Sequence, residues 1–282
     1  MQEGTIAPRR SAAWVKALMA GISCLALAQP ASAAGDLLVA PTRVILNGNQ
    51  GTEVVLDNIG AEPATYRISL ELRRMLPTGE LEDVPDEQAS AVEAKALEMI
   101  RYAPRRITLA PDQPQSIRIS ARPGADLPDG EYRVHMSFRA IPEAKPVTRE
   151  QAPPTQGFIV NLVPIYGVTI PIIVRKGLVE ATAAVSNPQV DRRGETTFLR
   201  FDMTRSGNKS LYGEVRVLAR GGGEPLFLAR GVAIYPELSA RTVKLPVSAE
   251  QAQKLRGPVR LEYREAPEGG GKLIAAVDAN LG

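Results

Sequence analysis

The sequence predicts an all-β protein with two β-sandwich domains after a signal peptide. Three observations support this: apolar and polar residues alternate with a period of two along short runs, Gly, Asn, Asp and Pro separate the runs, and a single helical candidate interrupts them. The alternation is clearest over residues 132–138. The apolar residues of this run, which share one parity, are Tyr132, Val134, Met136 and Phe138. Such alternation is typical of a strand with one face in the core.

Residues 1–33 have the three-part layout of a secretory signal peptide. Basic residues precede an apolar run over residues 17–28, and Ala31-Ser32-Ala33 offers a small-residue cleavage site. The run is too short to cross a bilayer core of roughly 30 Å as a helix. We therefore expect cleavage after Ala33 and an exported chain of 249 residues (282 − 33). The alternative, a retained N-terminal anchor, lacks a stop-transfer pattern.

Composition argues against several function classes. Cys24, the only cysteine, lies in the predicted signal peptide, so the mature chain has no disulfide, Cys nucleophile or Cys metal site. His135 is the only histidine, and its position in the alternating strand predicts that it lies at the surface. We therefore expect no Ser-His-Asp catalytic triad. No nucleotide-binding glycine motif follows a strand. The net charge of +3 falls to about +1 once the signal peptide is removed, which does not suggest a nucleic-acid partner. The sequence thus predicts a non-enzyme without metal or cofactor.

Four segments organise the rest of the chain. Residues 86–99, rich in Ala and Glu, predict a short surface helix, and the Pro-rich residues 141–156 predict a long mobile loop. Residues 158–174 follow, apolar on both faces and too long for an ordinary strand. Arg175-Lys176-Gly177 resembles a hinge, after which short strand-like runs without a helix predict a second, smaller sandwich.

The apolar residues 158–174 admit two interpretations. The first is a buried central strand of the sandwich. The second is an exposed edge, which is an aggregation hazard that proteins normally blunt. A protein that keeps such an edge can use it to pair with another chain by strand addition, with backbone hydrogen bonds for affinity and alternate side chains for specificity.

Four stretches resemble the periplasmic pilus-assembly chaperones, the PapD-like family, and the resemblance covers nearly the whole mature length. The first is Ala40-Pro41-Thr42-Arg43-Val44-Ile45-Leu46-Asn47-Gly48, which is similar to the first strand of the family. The second joins Ile107-Thr108-Leu109-Ala110-Pro111 to Ser116-Ile117-Arg118-Ile119. The third runs from Leu127-Pro128-Asp129-Gly130-Glu131 through Met136 to Ile141-Pro142, with His135 where an aromatic residue is usual. The fourth, residues 158–175, lies where the family has its partner-pairing strand.

The resemblance implies two immunoglobulin-like β-sandwich domains in an L or boomerang arrangement, at residues 34–175 and 176–282. It also implies a periplasmic chaperone that binds and stabilises pilus or fimbrial subunits by donating an apolar edge strand, and delivers them for assembly. The implied partners are pilin-like subunits and an outer-membrane assembly platform.

The resemblance also assigns roles to single residues. Arg43 would lie at the base of the cleft between the domains and bind the carboxylate at the subunit's C-terminus. A family lysine that shares this carboxylate is replaced here by Pro171. The donor side chains would be Phe158, Val160, Leu162 and Tyr166, with Pro164 among them. The residues of an ion network that fixes the angle between the domains would be Glu131, Arg175 and Glu265.

Two further function classes stay open at this stage. The chain could be a structural component of a surface assembly, such as a pilin, although it lacks the N-terminal donor extension and the disulfide that are usual there. It could instead be an exported ligand-binding sandwich, which a pocket lined with aromatic residues would favour.

Overall fold

The structure is a computed structural model, and it describes residues 37–142, 165–192 and 196–282. The predicted signal peptide, most of the Pro-rich segment and the start of the apolar stretch lie outside the described residues. The strands of the first half are β1 (Leu37–Ala40), β2 (Val44–Asn47), β3 (Gly51–Asn58), β4 (Ala64–Met75), β5 (Leu81–Val84), β6 (Ile100–Ala103), β7 (Arg106–Leu109), β8 (Gln115–Ala121), β9 (Gly130–Ile141) and β10 (Gly167–Lys176).

These ten strands form one β-sandwich. One sheet has the order β1-β3-β8-β6, and the other has the order β2-β10-β9-β4-β5, with β7 also paired to β4. The inward side chains of both sheets meet in a single apolar core, which includes Leu56, Ile117, Phe138 and Ile172. A fully buried side chain of this size contributes about 1.5–3 kcal/mol relative to exposure. The core therefore explains why the predicted alternation is so regular in this half.

The second half forms a second sandwich with its own core. One sheet has the order β11-β12-β15 and the other the order β14-β13-β16-β17. The strands are β11 (Ala181–Asp191), β12 (Thr197–Gly207), β13 (Leu211–Ala219), β14 (Phe227–Ile234), β15 (Ala240–Val247), β16 (Gly257–Glu265) and β17 (Leu273–Leu281). Phe201, Val215 and Leu261 are fully buried in the core. The predicted all-β class with two immunoglobulin-like sandwiches is confirmed, whereas the domain boundaries and the L or boomerang arrangement stay predictions.

Two short helices modify the predicted picture. The helix predicted over residues 86–99 is a 3-10 turn, Asp86–Gln88, followed by α1 (Ala91–Met99). Ser90 starts α1 because its side chain accepts from Glu93 N and the Glu93 carboxylate accepts from Ser90 N, a capping box. The second half was expected to have no helix, and this was wrong. Ser248 and Gln251 form the same kind of box, which starts α2 (Ala249–Lys254).

Candidate functional site

Over half its length, one edge of β10 pairs with no strand in the part of the chain that the structure describes. β9 pairs with β10 along its whole length, from Gly167 to Lys176. On the other side, β2 runs parallel to β10 and pairs only from Ile172 to Arg175. From Gly167 to Pro171, no strand among the described residues pairs with this second side. Residues 167–171 of β10 thus have one side without a pairing strand among the described residues.

The direction of the backbone at this edge follows from one hydrogen bond. Tyr166 O accepts from Ala140 N at 3.0 Å, so the backbone groups of Tyr166 point towards β9. Along an antiparallel ladder these directions alternate, so the backbone groups of Gly167, Thr169 and Pro171 point to the open edge. Pro171 has no N–H to donate, and at this parity it removes no hydrogen bond with β9. Alternation thus explains how β10 accommodates a proline.

The side chains beside the open edge are apolar and accessible. Ile165 and Tyr166 are 57% and 48% exposed, respectively. Val168 and Ile170, further along the strand, pack against the core of the first sandwich. The other expected donor side chains, Phe158, Val160 and Leu162, and the neighbouring Pro164, lie outside the described residues.

Arg43 lies next to the point where the open edge begins. It directly precedes β2, whose first residue, Val44, is opposite Ile172. Its guanidinium donates from Nη1 to Tyr235 OH at 3.3 Å and from Nη2 to Ser210 Oγ at 3.2 Å. It also stacks 4.5 Å from the ring centre of Tyr212. Arg43 thus contacts residues of the second sandwich.

The contacts of Arg43 are all with neutral groups. Within the described ranges, no carboxylate forms an ion pair with this guanidinium, and its Nε is buried without a hydrogen-bond partner. A guanidinium carries five N–H donors in a planar fork, and two of them are used here. The remaining donors and the uncompensated charge make Arg43 a suitable partner for an anion. Ser210, Tyr212 and Tyr235 could not be predicted as contacts of Arg43, because they are far from Arg43 along the chain and no local sequence pattern links them to it.

Two members of the expected ion network are paired. Arg175 Nε lies 3.2 Å from Glu131 Oε2, and the Glu131 side chain is fully buried. Glu265 is on β16, opposite Gly213, and is not part of an ion pair with Arg175 in the described structure. Lys176, next to the hinge, donates to Leu127 O rather than pointing towards Arg43.

An ion pair between the sandwiches escaped the sequence analysis. Arg133 Nη2 lies 2.6 Å from Glu237 Oε1, and the Arg133 guanidinium stacks 3.5 Å from the ring centre of Tyr235. Met75, Ile173, Ala233 and Tyr235 form a small apolar cluster at the same contact. The second sandwich therefore covers the part of the outward face of β9 and β10 around Arg133 and Ile173.

The surface position expected for His135 is wrong, because its side chain is buried. The residue is on the outward face of β9, as its parity predicted, but only 2% of it is exposed. Burial and, to a smaller extent, the nearby charges of Arg133, Arg73 and Arg43 lower the pKa of His135 to about 3. The imidazole is therefore neutral at physiological pH. Strand parity identified the face correctly, but it did not show that the face is an internal contact.

Over residues 37–142, 165–192 and 196–282, no group of three or more His, Cys, Asp or Glu side chains could hold a metal ion. Among the helices that the structure describes, none is long and apolar enough to cross a membrane.

Comparisons with known proteins complete the description of the site. No protein-family model and no curated protein matches the sequence. Among solved structures, the chain is similar to the chaperone YadV, with 15% identity and a TM-score of 0.48 over 88% of this chain and all of YadV. It is also similar to a chain of the CsuC–CsuE chaperone–tip adhesion subunit complex of archaic chaperone-usher Csu pili from Acinetobacter baumannii. That likeness has 12% identity and a TM-score of 0.45, over 88% of this chain and 98% of that one.

The E. coli chaperone DraB is a third similar structure, with 17% identity and a TM-score of 0.44 over 87% of this chain and 96% of DraB. All three likenesses are to chaperones or to a chaperone complex, and they extend over most of this chain. Because every TM-score is below 0.5, we take the function from the residues and the geometry of this chain.

Proposed function

We propose that this chain is a periplasmic chaperone that binds and stabilises pilus- or fimbrial-type subunits by donating an edge strand, and delivers them for assembly. The observation that supports this most directly is the open edge of β10 from Gly167 to Pro171, with exposed apolar side chains at its start. A subunit that lacks one strand of its own sandwich could complete its sheet there. An outer-membrane assembly platform would be the second partner.

The open edge suits strand addition for two physical reasons. The backbone groups of Gly167 and Thr169 point away from β9, so they can donate to and accept from an incoming strand. Exposed, unpaired edges are normally blunted by charges or bulges, and residues 165–171 contain no charged side chain. The side chain of Tyr166 could then enter an apolar groove of the subunit, with Phe158, Val160 and Leu162 as its continuation.

Arg43 would bind the carboxylate at the subunit's C-terminus. Its charge has only neutral partners in the described structure, and three of its N–H donors are unused by Tyr235 and Ser210. A carboxylate can accept from two of these donors at once, which makes the contact stronger than a neutral hydrogen bond. The position next to Pro171 would anchor one end of the added strand. Arg43 and the open edge thus form one continuous binding surface.

Co-expression with pilin-like subunits, followed by purification from the periplasm, tests the proposal. Tyr166→Glu places a charge at the start of the open edge, and we expect it to abolish the one-to-one complex that the unsubstituted chain forms. Leu38→Glu is the matched control, because Leu38 is 47% exposed on β1, at the edge of the opposite sheet. If no subunit co-purifies with the folded, unsubstituted chain, the proposal is wrong and the exported ligand-binding sandwich becomes the better hypothesis.

A further inference from the structure

A buried arginine of the second sandwich, Arg205, holds two turns at once. It is 8% exposed near the end of β12. Its guanidinium donates to four main-chain carbonyls: Gly207 O at 2.9 Å, Lys209 O at 3.0 Å, Pro236 O at 2.8 Å and Leu238 O at 3.1 Å. Gly207 ends β12 and Lys209 lies in the turn after it, whereas the other two acceptors belong to the segment after β14. Arg205 therefore fixes the spacing between these two segments.

Each of the two segments contacts the first sandwich. Asn208, from the turn after β12, accepts from Glu131 N at 3.0 Å and donates through Nδ2 to Asp129 O at 3.1 Å. Glu237, from the segment after β14, accepts from Met75 N at 2.9 Å and forms the ion pair with Arg133. Several polar contacts between the sandwiches thus come from the segments that Arg205 ties together, and β15 adds others through Arg241 and Thr242.

The partners of Arg43 are attached to the same two segments. Ser210 follows Lys209, and Tyr235 precedes Pro236, and both of these neighbours supply a carbonyl to Arg205. A shift of either segment would consequently move a group that contacts Arg43.

The positive charge of Arg205 interacts with a carboxylate from each sandwich. Burial lowers the pKa of its guanidinium, and the negative charges of Glu131 and Glu237 oppose this effect. Glu131 belongs to the first sandwich and Glu237 to the second. Neither carboxylate forms a direct ion pair with Arg205 among the residues described. The guanidinium therefore acts mainly through its fork of N–H donors, which lysine cannot reproduce.

We infer that Arg205 is a positioning residue that sets the orientation of the two sandwiches, by holding the Asn208 turn and the Glu237 segment in register. All the contacts cited for this orientation lie within the chain, so it can be measured without a partner. Its consequence for a carboxylate bound at Arg43 rests on the proposed function.

Distance measurement between two spin labels tests the inference in the absence of any subunit. Labels at Arg118→Cys and Glu268→Cys report on one exposed position in each sandwich, and the chain after Ala33 contains no native cysteine. Arg205→Lys keeps the charge but loses most of the four hydrogen bonds, and we expect the distance distribution to broaden about two-fold as the segments loosen. Because no subunit is present, failure of the chaperone proposal would leave this result unaffected.

Arg192→Lys is the matched control. Arg192 also donates to three main-chain carbonyls, Ala252 O, Leu255 O and Gly282 O, all within the second sandwich. It should destabilise that sandwich without changing the distance distribution. An unchanged distribution in Arg205→Lys, or equal broadening in both variants, would overturn the inference.

A second variant covers the case in which Arg205→Lys does not fold. Asn208→Ala combined with Glu237→Ala removes the side-chain contacts of both segments with the first sandwich, which are those of Asn208 with Asp129 O and of Glu237 with Met75 N and Arg133. The main-chain bond from Glu131 N to Asn208 O remains, and Arg205 keeps its four carbonyl acceptors. The inference requires the same broadening in this double variant, and an unchanged distribution would refute it.

Discussion

The burial of His135 makes the stability of the protein sensitive to mild acid. In the folded chain its pKa is lowered to about 3, chiefly by burial. An unfolded histidine has a pKa of about 6.5. Between these two values the unfolded chain binds a proton that the folded chain does not. The free energy of unfolding should therefore fall as the pH drops below about 6.5, and the loss should continue until about pH 3.

The size of this effect can be worked out for a practical pH range. Each pH unit within the window costs about 1.4 kcal/mol, so lowering the pH from 7.5 to 5.0 should cost about 2 kcal/mol. His135 is the only histidine, so no other side chain of this type titrates in this range. A carboxylate such as Glu93, whose pKa the hydrogen bond from Arg74 lowers to about 2, stays ionised at pH 5.0. The measured difference should thus report on His135.

Urea unfolding followed by circular dichroism at pH 7.5 and pH 5.0 measures this loss. His135→Phe removes the titratable group and keeps an aromatic ring in the contact, so its free energy of unfolding should differ little between the two conditions. An NMR titration of the His135 ring in the folded protein provides an independent check, with no protonation expected down to pH 4. If the unsubstituted chain and His135→Phe lose equal stability on acidification, the reasoning about His135 is wrong.

Three other predictions concern the binding surface and α1. Thr169→Pro should fold normally, because the Thr169 N–H points to the open edge. In a binding titration it should reduce the affinity for a subunit about tenfold or more, and wild-type affinity would contradict strand addition. Arg43→Ala should weaken subunit binding by about 1.5–3 kcal/mol, the usual value of a charged hydrogen bond. Arg118→Ala, the control on the outer face of the opposite sheet, should leave subunit binding unchanged. Equal subunit affinities in the two variants would exclude the carboxylate role of Arg43. Ser90→Ala should lower the free energy of unfolding by about 1 kcal/mol through loss of the N-cap, as measured by urea unfolding; no change would show that the cap does not contribute.

The sequence was sufficient to predict the strands and the class of fold. Period-two alternation located β4, β8 and β9 because one face of each strand packs into an apolar core, and burial selects apolar side chains at every second position. For residues 158–174 the sequence left a buried central strand and an exposed edge as alternatives, because an apolar stretch of this kind is compatible with both. The start of α1 was placed too early because the capping box at Ser90 was not recognised.

The contacts between the sandwiches could not be predicted in the same way. Alternation distinguishes the two faces of a strand, but it does not tell whether the outer face meets water or another domain, so His135 was assigned to the surface. Glu237 and Tyr235 are more than a hundred residues from Arg133, and no local pattern links them. Glu265 was expected beside Arg175 from a loose resemblance alone. Such contacts depend on tertiary packing, which a single sequence does not encode locally.

The most direct test of the central claim, that β10 pairs with a subunit through its open edge, is amide hydrogen exchange in the free protein and in the complex. The N–H groups of Val168 and Ile170 point towards β9 and should be protected in both states. The N–H groups of Gly167 and Thr169 point to the open edge, and their exchange should slow about tenfold or more when the subunit binds. If a subunit binds and the exchange of Gly167 and Thr169 is unchanged, the subunit does not pair with β10 and the proposed mechanism is incorrect.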